Sequence, residues 1–348
     1  MGTLLHEPPA VRQPTIVTPR VAKPKLLIIE LWGLGDLVIG TTFLRAAIEK
    51  YEVTVVAKPY AKELQAQFWP GVIVLPFVAP WTVFQRKYRL ARWPWREMLR
   101  LGRIIRATRF DVALSARWDP RDHFLLALAG GKKRLGFPRV GSRLFLTDPL
   151  VRPDPAAHRY ESWRTLGKAI GLDLPPREQI PHQPAAGSRD RQILVHTGAA
   201  QPVRVWPLEN YRKLAERLRQ KQYRVQLACD PNQRDWWLRQ GEAAVITPHT
   251  VAELLALVNQ SAAFIGNDSG PGHLAAFAGV PTFTIFGPQV PEWFAPSHPA
   301  ARWVDGKACP YKPCSDYCRF KEPICLTGWS EPEIWMHVEP FVAKMCGE

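Results

Sequence analysis

The chain has 348 residues, 46% of them hydrophobic, and its 46 Lys and Arg against 31 Asp and Glu leave a formal charge of +15. That length accommodates two ordinary domains with a real core, while the absence of any run near the roughly 20 apolar residues that span a bilayer, or of a signal-peptide run, predicts a cytoplasmic protein. The charge selects anionic partners, leaving nucleic acid, an acidic membrane surface and a phosphorylated substrate open, and six cysteines in a chain of this size do not make a secreted disulfide scaffold.

Residues 1 to about 24 carry Pro, Val, Thr and Arg without a sustained period and read as a flexible tail. Lys25–Leu31 is a short β-rich run feeding a glycine-rich turn, Trp32-Gly33-Leu34-Gly35-Asp36, and a helix that ends near Lys50. Gly33, Gly35 and Gly40 miss the G-x-G-x-x-G spacing of a dinucleotide turn. Asp36 stands at the C-terminal end of a parallel strand, where open α/β sheets place their chemistry; its plainer role is helix capping. Strands are predicted over Val53–Ala57 and Val72–Pro76 with a helix over Ala61–Phe68 between them, an alternation that calls for a parallel sheet.

Phe84 to Phe110 is the most basic part of the chain: Arg86, Lys87, Arg89, Arg92, Arg96, Arg100, Arg103, Arg106 and Arg109 stand against the single acid Glu97. Trp93, Trp95, Met98, Leu99, Leu101, Ile104 and Ile105 are threaded through it, as suits a surface that lies on an anionic membrane or grips a phosphorylated substrate. The plainer alternative is a helix packed on the sheet with solvated arginines. A strand over Asp111–Ser115, a helix over Arg121–Ala129, a small strand and turn at Arg134–Phe137 and a helix from about His158 to Ile170, capped by Gly171, complete this half. Pro175, Pro176, Pro181, Pro184 and Gly187 form the linker and put the domain boundary between about 173 and 190.

The same alternation then restarts. Gln192–His196 is a strand, Thr197-Gly198-Ala199-Ala200 a loop, and Pro207 opens a helix to about Lys221; Tyr223–Ala228 and Ala244–Ile246 are strands, and Val251–Asn259 is a helix. The stretch Phe264-Ile265-Gly266-Asn267-Asp268-Ser269-Gly270-Pro271-Gly272-His273 reads as strand, tight turn and first helical turn. The unpaired N–H groups and positive dipole end of such a helix make a seat for a phosphate or diphosphate. Gly270 and Gly272 let the backbone approach a ligand, although N-capping by Asp268 or Ser269 is the commoner use of such residues. Two βαβ halves facing across a cleft would set Asp36 opposite Asp268. Cys309, Cys314, Cys318 and Cys325 crowd into one late segment; they could close a four-thiolate zinc site, but without a C-x-x-C knuckle reduced thiols in a compact loop are the expected state.

Gly35-Asp36, Arg134-Leu135-Gly136-Phe137, His196-Thr197-Gly198-Ala199 leading into Arg204-Val205-Trp206-Pro207, and Asn267 to His273 occur in the order seen in glycosyltransferase family 9, which holds the bacterial ADP-heptose:lipopolysaccharide heptosyltransferases. The resemblance covers nearly everything from Lys25 onward and implies an α/β glycosyltransferase-B architecture, two Rossmann-like domains facing across a cleft. Residues 25–175 would bind the acceptor and 176–348 the nucleotide-sugar donor, with a last helix over Glu331–Met345 packed back across both domains. It implies Asp36 as general base and Arg204, where relatives usually carry lysine, as the cation on the departing diphosphate. Asp268, Ser269, Gly270 and Gly272 match the diphosphate turn, with Thr197, Gly198 and His273 beside the donor, and no acid from Asp230 to Asp235 clearly matches the residue that binds the ribose. The implied enzyme is inverting, needs neither metal nor cofactor, and moves a heptose from ADP-heptose to a lipid-linked lipopolysaccharide core while peripheral to the cytoplasmic membrane. Arg86, Lys87, Arg89, Arg92, Trp93, Trp95 and Arg96 are the expected acceptor or membrane surface. Rival readings are a transferase of the same fold using a UDP- or GDP-sugar, and a basic lipid- or nucleic-acid-binding protein without catalysis; against nucleic acid stands the lack of a recognisable reading motif.

Overall fold

The computed structural model describes residues 22–82, 90–182 and 192–347. Most of the expected tail, the centre of the proline-rich linker, and Arg86, Lys87 and Arg89 lie outside the described residues. In the first half β1 (Lys25–Glu30) leads through α1 (Leu34–Ile39) and α2 (Thr41–Lys50) to β2 (Glu52–Ala57), α3 (Ala61–Phe68) and β3 (Ile73–Pro76). After α4 (Trp95–Thr108) come β4 (Val112–Leu114), α5 (Pro120–Ala129), β5 (Lys133–Gly136), β6 (Asp148–Pro149) and α6 (Tyr160–Ala169). The strands form one parallel sheet in the order β3-β2-β1-β4-β5-β6, with Leu26 in register with Val53 on one side and Val112 on the other. Leu26 and Ile28 point to one face of β1 and Leu27 and Ile29 to the other, and all four are fully buried. That two-sided burial is why the run is continuously apolar rather than alternating, each such side chain contributing about 2 kcal/mol of transfer free energy.

The second half runs β7 (Gln192–His196), α7 (Leu208–Gln220), β8 (Arg224–Ala228), α8 (Arg234–Arg239), α9 (Val251–Asn259), β9 (Ala263–Asn267), α10 (Gly270–Phe277), β10 (Thr282–Ile285), α11 (Pro291–Phe294), β11 (Arg302–Val304), α12 (Ile324–Thr327) and α13 (Glu331–Cys346). Its parallel sheet has the order β11-β10-β9-β7-β8, with Val195 between Leu227 and Ile265. Two expectations are corrected. Ala244–Ile246 is not a strand but a single bridge from Ile246 to Ala228. The last helix buries Ile334, Trp335, Val338, Phe341 and Val342 in the second domain's own core with Ile193, Tyr211 and Phe283, so its apolar face is spent there rather than across both domains.

The two halves touch directly. Phe68 of α3 meets Phe277 of α10 edge-on, ring centroids 5.1 Å apart, and Glu63 Oε2 accepts the Ala252 N–H at the start of α9 at 3.0 Å. The chain leading into α6 is tied to the second domain as well, the Arg159 N–H donating to the Trp293 carbonyl at 3.1 Å. These contacts bring the C-terminal ends of both sheets to one cleft.

Candidate active site

Asp36 sits in the first turn of α1, and its two carboxylate oxygens have separate partners. Oδ2 accepts the Gly33 N–H at 3.2 Å, closing the helix start, and Oδ1 accepts from Arg117 Nη1 at 2.9 Å. Asp36 therefore does the capping work and still faces the cleft, with its side chain 23% exposed. Arg117, just beyond the end of β4, also lies over the Trp32 ring at 4.3 Å. Beneath this pair Glu30, at the end of β1, is buried, and its Oε1 accepts the Trp32 N–H at 3.2 Å. Burial, reinforced by the Asp36 charge, pushes the Glu30 carboxyl up to about 8 against the pull of Arg117. Lys58, mostly buried near both acids, is held below its ordinary range by that burial.

On the facing side, Asn267 at the end of β9 fastens two loops and α7 together. Its Oδ1 accepts from the Trp206 N–H and the Tyr211 hydroxyl, both at 2.9 Å, and its Nδ2 donates to the carbonyls of Thr197 at 2.9 Å and Gly198 at 3.4 Å. Asp268 follows, nearly buried, with Oδ2 accepting from Arg204 Nη1 at 3.2 Å. Burial, with the charges of Asp316 and Asp36 adding to it, pushes its carboxyl up to about 6 despite Arg204. Ser269 stands at the N-cap of α10, but its hydroxyl donates to the Asn267 carbonyl at 3.3 Å and caps no helical N–H. Thr197 differs from expectation: its hydroxyl is fully buried, donating to Gln233 Oε1 at 2.8 Å and accepting from Trp237 Nε1 at 3.2 Å, so it braces the loop instead of offering a side chain to the cleft.

The two helix starts meet. A Cβ on Gly35 would lie 2.7 Å from the His273 ring, and one on Gly270 would lie 2.7 Å from Leu34 Cβ and 3.2 Å from the Gly35 nitrogen. Glycine at both positions is what lets α1 and α10 come this close, setting Asp36 opposite Asp268 as the sheet topology requires. Gly272 has no such tight neighbour. His273 packs on Gly35, and burial pushes its imidazole down to about 4, leaving it neutral.

Several charged residues at the site carry no local sequence signature. Asp230, just past β8, lies against Gly198, where an added Cβ would come within 2.3 Å of its carboxylate. It occupies the end of the second strand of its domain, the position from which Rossmann-type sheets address a ribose. Beside Asp36 a cavity of about 420 Å³ is lined by Trp32, Arg117, Trp118, Asp119, Pro120, Arg121, Arg139 and Val140. Arg152 and Arg159 stack on Trp118 at 3.9 and 4.0 Å, and burial with the nearby Arg117 and Arg152 charges pulls Arg159 down to about 9.

From that cavity a chain of aromatic rings leads outward: Arg121 lies over Trp81, Trp81 meets Trp93 at 5.8 Å, and Trp93 meets Trp95 at 5.5 Å. α4 buries Leu101, Gly102 and Ile105 and leaves Trp95, Leu99 and Ile104 at 47%, 60% and 39% exposure among exposed Arg96, Arg100 and Arg103; Arg92, just ahead of the helix, is exposed too. One face of the helix thus packs, as the plainer reading expects, while the other presents cations beside apolar side chains. Among the described residues no helix is long and apolar enough to cross a membrane. Cys309, Cys314, Cys318 and Cys325 line one small cavity as free thiols, but among the described residues no group of three or more His, Cys, Asp or Glu is placed to hold a metal ion.

Two Rossmann-like domains whose strand-end turns face one another across a cleft are the glycosyltransferase-B architecture. The chain belongs to glycosyltransferase family 9 (heptosyltransferase), whose model matches residues 98–323. It is 25% identical to lipopolysaccharide heptosyltransferase 1 of Pseudomonas aeruginosa over 90% of this chain and 97% of that one. It is 32% identical to lipopolysaccharide heptosyltransferase 3 of Escherichia coli over 112 residues, 30% of this chain and 33% of that relative's length. Among solved structures it resembles a family 9 glycosyl transferase from Veillonella parvula (TM-score 0.73, 19% identity, 93% and 99% of the two chains covered). It also resembles the E. coli heptosyltransferase WaaC with ADP (TM-score 0.71, 17% identity, 91% and 99% covered); both likenesses bear on the fold.

Proposed function

We propose that this chain is an inverting transferase that moves a heptose from ADP-heptose to a lipid-linked lipopolysaccharide core. The observation that carries the reading is the meeting of α1 and α10, which sets a carboxylate, Asp36, against a helix N-terminus flanked by Arg204. Asp36 takes the proton of the acceptor hydroxyl as its oxygen attacks the anomeric carbon, and Arg117 holds that carboxylate in place. The bond to the diphosphate breaks on the opposite face of the sugar, and the negative charge that develops is met by the α10 backbone N–H groups and by Arg204. Those two features supply the positive charge that a divalent ion supplies in other transferases, so the reaction is metal-independent. Asp230 binds the ribose beside Gly198.

The acceptor enters by the arginine-lined cavity beside Asp36, whose charge suits the carboxylates and phosphates of an inner core. The exposed face of α4, with Arg92, Arg96, Trp93 and Trp95 in or beside it, rests on the anionic membrane surface that carries the lipid. Residues 25–175 and 176–348 serve as acceptor and donor halves. The test is thermal stabilisation by ADP, UDP and GDP on the wild type and on Asp268→Ala. A ligand that binds the native state alone raises the midpoint, so an ADP-selective rise that the variant loses supports the reading. A UDP- or GDP-selective rise would change the donor, and no rise with any of the three would overturn the donor site.

A further inference from the structure

Arg204 reaches the cleft with one edge of its guanidinium already held. Nε donates to Asp316 Oδ1 and Nη2 to Asp316 Oδ2, both at 2.7 Å, while Nη1 donates to Asp268 Oδ2 at 3.2 Å and leans on the Asp268 carbonyl at 3.5 Å. A guanidinium offers five N–H bonds, so an N–H on Nη2 is left uncommitted by these contacts. Asp316 comes from the late cysteine segment, 112 residues away in sequence, and is no casual surface partner. Its side chain is 5% exposed. Gln289 Nε2 adds a long contact to Oδ1 at 3.5 Å, and the Cys314 N–H donates to the Pro288 carbonyl at 3.3 Å, fastening the turn to the end of the sheet. Ser315 and Asp316 both hold left-handed backbone, at φ 50° and 71°, a conformation that side chains other than glycine adopt at a cost. A turn strained in this way delivers a buried carboxylate edge-on to the cation nearest the proposed diphosphate seat.

We infer that Asp316 is a positioning residue for the transfer: it fixes the plane of Arg204 for the departing diphosphate, and its own charge, facing the same phosphates, weakens donor binding. The inference rests on the donor-site reading above. The two effects have opposite signs. A bidentate carboxylate removes the freedom of a long side chain before the reaction begins, which favours the transition state. A negative charge a few ångströms from a diphosphate opposes ground-state binding.

Asp316→Asn keeps the shape and one acceptor oxygen while removing the charge and the two-point grip. It is tested on the full chain by calorimetric titration with ADP and by transfer from ADP-heptose to heptose-deficient lipopolysaccharide. ADP should bind about 3-fold tighter, the size of one unit charge acting at several ångströms in a high-dielectric cleft. The kcat should fall by about 10- to 100-fold, the cost of a misplaced catalytic cation. A merely structural defect would weaken both quantities together; that outcome, or no change in either, overturns the positioning role. Should Asp316→Asn lose its cooperative melt, Asp316→Glu carries the test, because it keeps the charge and shifts the fork: kcat falls without tighter ADP, and an unchanged kcat overturns the inference. Wild-type protein that binds none of ADP, UDP and GDP overturns the donor reading and this inference with it, whereas an ADP-binding wild type with no split in the variant overturns the positioning role alone.

Discussion

Glu30→Gln tests the electrostatics behind the proposed base. Glu30 is 3% exposed, and burial first, then the charges of Asp36 and Asp122, raise its carboxyl from 4.5 to about 8 against Arg117 and the Trp32 N–H. An acid whose folded pKa exceeds its unfolded one prefers to keep its proton when folded. Below the unfolded value both states are protonated and the group does not affect the balance. As pH rises through that value the unfolded chain ionises while the folded chain holds its proton, so stability falls until the folded carboxyl ionises in turn. Across that window the loss is on the order of 5 kcal/mol. Gln keeps the Oε1 acceptor for Trp32 and removes the titration. Relative to wild type, its melting midpoint should shift little near pH ~4.5 and gain about 9 °C near pH ~8, taking roughly 2 °C per kcal/mol for a chain of this size. The assay is a series of melts on both proteins across that range. Asp122 and Asp268, raised chiefly by burial to about 7 and about 6, tilt both profiles in the same direction and cancel in the difference. A difference flat with pH, or a Gln variant that loses ground as pH rises, would refute the reasoning, because Glu30 would then be ionised in the folded protein and paired with Arg117.

Asp36→Asn should lower kcat by about 100- to 10,000-fold while leaving ADP affinity within about twofold, read by transfer assay and titration; a near-normal kcat would remove Asp36 as the base. Gly270→Ala would put a methyl 2.7 Å from Leu34 Cβ, so α1 and α10 must part by about 1 Å to restore ordinary carbon–carbon contact. Its kcat should drop about 100-fold and its melting midpoint by roughly 2–6 °C, and wild-type turnover would show that the close approach is not needed. Asn267→Ala leaves the buried Trp206 N–H and the Tyr211 hydroxyl without the acceptor they share. It should cost on the order of 3 kcal/mol in urea unfolding, and a loss below about 1 kcal/mol would contradict the bracing role.

What the chain discloses about itself depends on whether the signal is local. Parallel strands covered on both faces read as short continuous apolar runs, so Leu26 to Ile29 and Ile193 to Val195 were legible without a partner in view. The turn from Asn267 to His273 was legible because Gly, Pro and Asp punctuate a strand-to-helix junction for reasons internal to the backbone. From those two facts the doubly wound topology sets Asp36 against Asp268. Arg117 is 81 residues from Asp36, and nothing near it in sequence announces an ion pair, yet it lies three residues past Leu114 at the end of β4. Asp230 likewise lies two residues past Ala228 at the end of β8. Both become visible when the strand-end rule is applied to every parallel strand, including those that lack a glycine-rich turn. Ala244–Ile246 misled because a short apolar run supplies β-propensity but no second strand to complete a ladder. Thr197 misled because a hydroxyl's direction is chosen by Gln233 and Trp237, more than 30 residues downstream. Asp316 lies beyond the reach of any such rule: it is on no strand end, its turn contains no glycine, and its partner was selected by the packing of the late segment against the second sheet. The proposed donor cation thus takes its orientation from a segment that the strand-end rule does not reach.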